Sequence, residues 1–102
     1  MGNCVIAKRK PKGSKLDLLW TGSSGSGLQI EALKKYDMMI MFVLAYDNGW
    51  CPCIAFSPNQ KYGQGMSAPN YYITFHFTKS TGVITIDDNN GMTTIRSVWG
   101  IK

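Results

Sequence analysis

The chain has 102 residues, 44% of them apolar and only 17% charged, enough for one hydrophobic core and too few for two. With 12% aromatic residues it carries enough apolar surface to offset the entropy of folding, which excludes a disordered tail. The net charge of +5 lies in five basic residues, Lys8, Arg9, Lys10, Lys12 and Lys15, whereas residues 16–102 hold six basic and six acidic side chains. This is a neutral body with a basic N-terminal arm, residues 1–15.

Within the arm, Pro11 and Gly13 deny the basic stretch a regular helix. No signal peptide is expected, because the arm runs into Leu16-Asp17-Leu18-Leu19-Trp20 and not into an apolar stretch with a small-residue cleavage site. Leu16 to Thr21 reads as a strand, and the G-S-S-G-S-G that follows reads as a flexible loop. That loop lacks the lysine a phosphate-binding P-loop requires. Leu28 to Leu33 alternates as a short strand, and Lys34-Lys35 is expected to turn. Tyr36 to Tyr46 is the most apolar segment, with a run of nine residues from Met38 that is too short to cross a membrane as a helix. Because it stops at Asp47-Asn48-Gly49, a hairpin signal, it is expected to be a strand buried on both faces, returning through Trp50 to Ser57. Pro52 demotes the first part of the returning strand to an edge or a bulge.

Pro58 to Asn70 reads as a long loop, and loops of that length are often functional. Tyr71 to Thr78 is the clearest strand, with Tyr71, Ile73, Phe75 and Phe77 on one face and Tyr72, Thr74, His76 and Thr78 on the other. A Lys79–Gly82 turn leads to a strand from Val83 to Ile86. The sequence Asp87-Asp88-Asn89-Asn90-Gly91 reads as a second turn, and Met92 to Ile101 closes the chain with Ile95, Val98 and Trp99 expected inside. The fold expected is all-β: an antiparallel, jelly-roll-like β-sandwich of about seven to eight short strands, one domain over residues 16–102.

The chemistry on offer is sparse, and an enzyme is not expected. His76 is the sole histidine and has no catalytic neighbours in sequence. Asp87 and Asp88 are adjacent, so in a regular strand they would face opposite ways and could not act as a carboxylate pair; in a turn they are formers of the turn. They also lack the spacing of a calcium loop. Cys4, Cys51 and Cys53 are an odd number, so no disulfide framework is expected, and with His76 they match no zinc spacing. No metal or cofactor is expected. The arm offers phosphate only non-specific charge, without stacking or base-reading side chains, so it is expected to dock on an acidic partner and not on nucleic acid. Aromatic rings beside Asp and Asn hold sugars and peptides at little entropic cost. The candidate ligand-binding residues are therefore Trp50, Tyr62, Asp87, Asp88 and Asn89, and the partner-docking residues are Lys8, Arg9, Lys10, Lys12 and Lys15.

Three stretches carry a resemblance: L-D-L-L-W-T-G (residues 16–22), L-Q-I-E-A-L-K-K-Y-D-M-M-I-M-F (residues 28–42) and I-R-S-V-W-G-I-K (residues 95–102). In order and spacing they resemble small all-β appendage domains of virions, of the tail-fibre, head-fibre or receptor-binding-tip type, from phages and prophages of Gram-positive bacteria. W-C-P-C and the basic arm lie outside that pattern. The resemblance implies a non-enzymatic virion structural protein, assembled in the host cytoplasm, that docks on the particle and presents loops to a host-surface glycan or protein. It also implies a homo-oligomer, commonly a trimer, in contact with other virion proteins. Two alternatives remain open: a phage-encoded cytoplasmic protein that inhibits a host factor or binds nucleic acid, and a carbohydrate-binding module.

Overall fold

A computed structural model describes residues 15–45, 49–65, 72–90 and 92–102. The basic residues Lys8, Arg9, Lys10 and Lys12 lie outside the described residues. Among the described residues eight strands form: β1 (Leu16–Ser24), β2 (Leu28–Gln29), β3 (Met38–Leu44), β4 (Trp50–Ala55), β5 (Tyr62–Gly65), β6 (Tyr72–Thr78), β7 (Val83–Asn90) and β8 (Thr94–Ile101). They make two antiparallel four-stranded sheets, ordered β1-β8-β3-β4 and β2-β7-β6-β5. β8 returns to lie between β1 and β3, and β7 lies between β2 and β6, so each sheet joins strands that are far apart in sequence.

Alternation decides which side chains meet between the sheets. Met39, Met41 and Val43 of β3, with Ile95 and Val98 of β8, face Ile73, Phe75 and Phe77 of β6 and Ile84 of β7, all essentially inaccessible to solvent. Trp99 is outside, a correction to the expectation that it is buried. Val98 takes the inward position, and neighbouring strand residues point to opposite faces.

Four further expectations change. Leu28 to Leu33 is a strand only at Leu28 and Gln29; a 3-10 turn over Glu31–Lys35 follows, and Lys34 and Lys35 are its last residues. That turn drops Leu33 into the core with no exposed surface, and Glu31 and Lys34 pair across it at 3.0 Å. The G-S-S stretch that read as a flexible loop belongs to β1, which continues to Ser24 past two register irregularities. Residues 58–70 are not all loop, because Tyr62–Gly65 adds β5 to the edge of β6; residues 66–70 are outside the described set. Asp87, Asp88, Asn89 and Asn90 are strand and not turn, because each of the last three has a partner on β6: Thr74, Ile73 and Tyr72.

Two glycines hold the sandwich closed where no side chain would fit. Gly82 ends the β6–β7 turn at φ +70, and a Cβ there would lie 2.3 Å from the carbonyl oxygen of Ile30. Its own backbone joins two segments, since Gly82 N–H donates to Thr78 O and Ile30 N–H donates to Gly82 O, each at 2.8 Å. Gly100 lies under the ring of Tyr36, and a Cβ would meet that ring at 2.5 Å. The Tyr36 hydroxyl donates to Asp17, which holds the phenol above its usual pKa.

Candidate functional site

The two outer faces of the sandwich differ in chemistry. The outer face of the β1-β8-β3-β4 sheet is apolar. Its central row runs Leu18, Trp99, Ile40, Ile54 across all four strands. Leu16, Ile101 and Met38 make the row on one side of it; Thr21, Ser97, Phe42 and Pro52 make the row on the other. Leu18 is 50% exposed, and Trp99, Ile40 and Ile54 are half-buried among their neighbours. These three rows carry no charged side chain. Their polar atoms include the indole of Trp99, whose Nε1–H donates to Ser97 Oγ at 3.1 Å within the same face. The run M-M-I-M-F-V-L produces this surface because both of its faces are apolar: Met39, Met41 and Val43 fill the core, while Met38, Ile40, Phe42 and Leu44 face outward.

The outer face of the second sheet is polar. Tyr72, Thr74, His76 and Thr78 line it along β6, opposite the core-facing Ile73, Phe75 and Phe77. Between Thr74–Asp88 and Phe75–Ile86 the ladder shifts by one residue, which makes Asp87 the extra residue of a β-bulge. The bulge overturns the expectation that Asp87 and Asp88 face opposite ways. Asp87 Oδ2 lies 2.9 Å from His76 Nδ1, and Asp88 Oδ2 accepts from the Tyr72 hydroxyl at 2.9 Å, so both carboxylates stand on the outer face. The bond to Asp88 raises the Tyr72 phenol above its usual pKa. The His76 and Asp87 side chains are 25% and 19% exposed, a half-sheltered ion-pair geometry beside an open tyrosine. His76 and Tyr72 were outside the candidate set. Their signal was the polar parity of β6, but their grouping with the aspartates required the bulge.

The other candidate residues scatter. Trp50 is 62% exposed at the start of β4, beside Leu44 at the end of the apolar face. Tyr62 is half-buried on β5; its ring sits 6.2 Å from Phe75 and 6.1 Å from Phe56, and its hydroxyl is 3.0 Å from Ser57 Oγ. Asn89 points inward. Its Oδ1 accepts from the N–H of Thr93 at 2.9 Å and from Thr93 Oγ1–H at 2.8 Å, and its Nδ2 donates to the carbonyl oxygens of Thr93 and Gly25. Trp50 and the two aspartates therefore belong to opposite outer faces, and Asn89 is a staple between β7 and the segment that opens β8. Lys15 is exposed at the head of β1, and its carbonyl accepts from Lys102 N–H at 2.8 Å.

Replacing Asn89 by alanine is expected to cost about 2 kcal/mol, because the buried Thr93 would lose its partners. Urea unfolding measures this; an Asn89→Ala protein of full stability would return Asn89 to the surface set.

Cys51 and Cys53 are unbridged and share the inward side of β4. Burial first, and then the neighbouring Cys51, pushes the Cys53 thiol up to about 12. Burial also raises Cys51. Iodoacetamide at pH 8 is accordingly expected to leave Cys53 unmodified in the folded protein and to alkylate it once urea unfolds the chain. Peptide mass spectrometry reads the difference, and rapid native alkylation of Cys53 would contradict its placement. Among the described residues, no three His, Cys, Asp or Glu side chains group in a way that could hold a metal ion, and no helix is long and apolar enough to cross a membrane.

Comparison with family models, with curated proteins and with solved structures finds no match to this chain.

Proposed function

We propose that this chain is a non-enzymatic structural protein of a phage particle, a fibre, receptor-binding or decoration component that works by assembly and display. The observation that carries the reading is the contrast between the two outer faces of one small sandwich. An apolar face whose three main rows carry no charged side chain is suited to burial in an assembly. A polar face, with Tyr72, His76, Asp87 and Asp88 held in fixed pairs, is suited to meeting a host-surface glycan or protein. The three stretches that resemble virion appendage domains supply β1, β3 and β8, three of the four strands of the apolar face, together with β2 of the other sheet. On this reading the protein is a homo-oligomer, a trimer by the resemblance. It is assembled in the host cytoplasm, and Lys8, Arg9, Lys10, Lys12 and Lys15 dock it on an acidic virion protein.

Mass spectrometry of purified particles tests the proposal. The chain should be present in a fixed ratio to the major capsid protein. Its absence from particles, with abundance in the soluble fraction of the producing cell, would replace this reading with that of a cytoplasmic binding protein. A carbohydrate ligand is the second reading, favoured by the hydrogen-bonding groups around the Tyr72 ring. Glycan-array binding that is lost in Tyr72→Ala would support it.

A further inference from the structure

We infer that Cys51, Cys53 and Met41 form a binding site for a soft monovalent metal ion of the copper(I) kind. The site is separate from both outer faces, and the inference holds whether or not the chain belongs to a particle. Cys51 and Cys53 stand two residues apart on β4, so both thiols project from the same side of the strand. That side faces the core: Cys53 is fully buried, and Cys51 is packed against the buried cluster. The two thiols are unbridged and close enough to hydrogen-bond one another. Pro52 fixes the backbone between them, and the ladder to β3 pairs Cys51 with Val43 and Cys53 with Met41. The pair is therefore held in place by the sheet itself.

Strand pairing supplies the third donor. Met41 lies directly opposite Cys53, points into the same core and has no exposed surface. Opposed residues hold their Cβ atoms about 4.5–5.5 Å apart, within reach of a flexible, unbranched thioether. Two thiols and a thioether are the soft donors that select Cu(I). Zinc fits poorly, because it takes four ligands and the described residues bring no third His, Cys, Asp or Glu to the pair. Calcium and magnesium take oxygen ligands, which this side of β4 does not offer as side chains. The ion also has a way in. β4 and β5 are the end strands of their sheets, and Cys51 Sγ lies 3.8 Å from the carbonyl oxygen of Gly65 across the seam between them. Half-buried Cys51 meets the ion first, and Cys53 and Met41 enclose it away from water. On binding, each cysteine releases its proton to solvent and its sulfur bonds to the metal; copper stays in the +1 state, so no electron is transferred. The loaded site carries one net negative charge, beside the seam where Cys51 is partly open to water.

Competition for Cu(I) against the coloured chelator bicinchoninate, on the reduced full-length protein in the absence of oxygen, is the test. The wild-type chain is expected to withdraw one Cu(I) per molecule from the chelator. Cys51→Ala and Cys53→Ala are each expected to weaken binding by about 100-fold or more, and Met41→Leu, which keeps the volume, by about 10-fold. Circular dichroism confirms that each variant is folded; if Cys53→Ala fails to fold, Cys51→Ala, at a partly exposed position, carries the test. Cys4→Ser should leave the affinity unchanged, and an equal concentration of Zn(II) should not displace the copper. A wild-type chain that takes no Cu(I) from the chelator overturns the inference. So does binding that survives both alanine substitutions, binding that is lost with Cys4→Ser, displacement by zinc, or an unchanged affinity in Met41→Leu.

Discussion

Phe75→Ala is expected to remove about 3–5 kcal/mol of stability, of a total of about 5–15 kcal/mol for a domain of this size. Phe75 is 1% exposed at the middle of β6, and the ring of Tyr62 lies over it from the β5 edge. Deleting the ring leaves a hole in the buried core and also removes what Tyr62 packs on. A thin sandwich cannot collapse onto such a hole, because both of its walls are held by ladders of backbone hydrogen bonds. The urea midpoint is expected to fall by about a third or more with an unchanged slope. A loss below about 1 kcal/mol would mean that Phe75 is not held between the sheets.

Gly82→Val is expected to be comparably damaging, for a backbone reason. The position combines φ +70 with a carbonyl oxygen 2.3 Å from where Cβ would stand. A β-branched side chain in the left-handed region costs about 1–2 kcal/mol by itself. The atom it meets is the Ile30 carbonyl oxygen, which cannot swing aside without giving up the Ile30–Gly82 and Leu33–Ile30 hydrogen bonds. The segment that delivers Leu33 to the core would shift with it. Gly65→Ala is the matched control, since nothing lies within 4 Å of its Cβ position. The control should melt within a few degrees of the parent, whereas Gly82→Val should lose 10 °C or more, on the scale of about 4–8 °C per kcal/mol. Equal melting temperatures would show that the β6–β7 turn is not anchored on Ile30.

The strands that could be read from sequence are those whose own pattern suffices. Ile73, Phe75 and Phe77 alternate with polar residues, so β6 and its inward face follow from period two alone. The β3–β4 hairpin follows from an apolar run that ends on Asp-Asn-Gly and returns with Pro52 on an edge strand. Features that depend on a partner strand were not legible. Asp87 is an extra residue only relative to β6, so no inspection of D-D-N-N-G could separate a turn from a bulged strand. Asn89 looks like a surface amide until Thr93 and Gly25 are brought beside it. The apolar run Tyr36 to Tyr46 was legible as a strand, but the expectation that it is buried on both faces fails: in β3 only Met39, Met41 and Val43 are buried, and Met38, Ile40, Phe42 and Leu44 are partly exposed. That only one face is covered by the chain itself depends on β8 and β4 being its neighbours, which is a matter of strand order.

The bulge at Asp87 also gives the polar face an unusual mutational freedom. Loss of one residue from the middle of a strand ordinarily turns every later side chain to the wrong side. Here the residue is supernumerary: removing Asp87 would join Ile86 to Asp88 in ordinary alternation, with Asp88, Asn89 and Asn90 still opposite Thr74, Ile73 and Tyr72. A single three-nucleotide deletion would thus strip His76 of its carboxylate while the Asn89 staple and the tyrosine pair kept their places. The outward chemistry of this sheet can be rewritten by a change in length, one residue at a time, without renegotiating the core behind it.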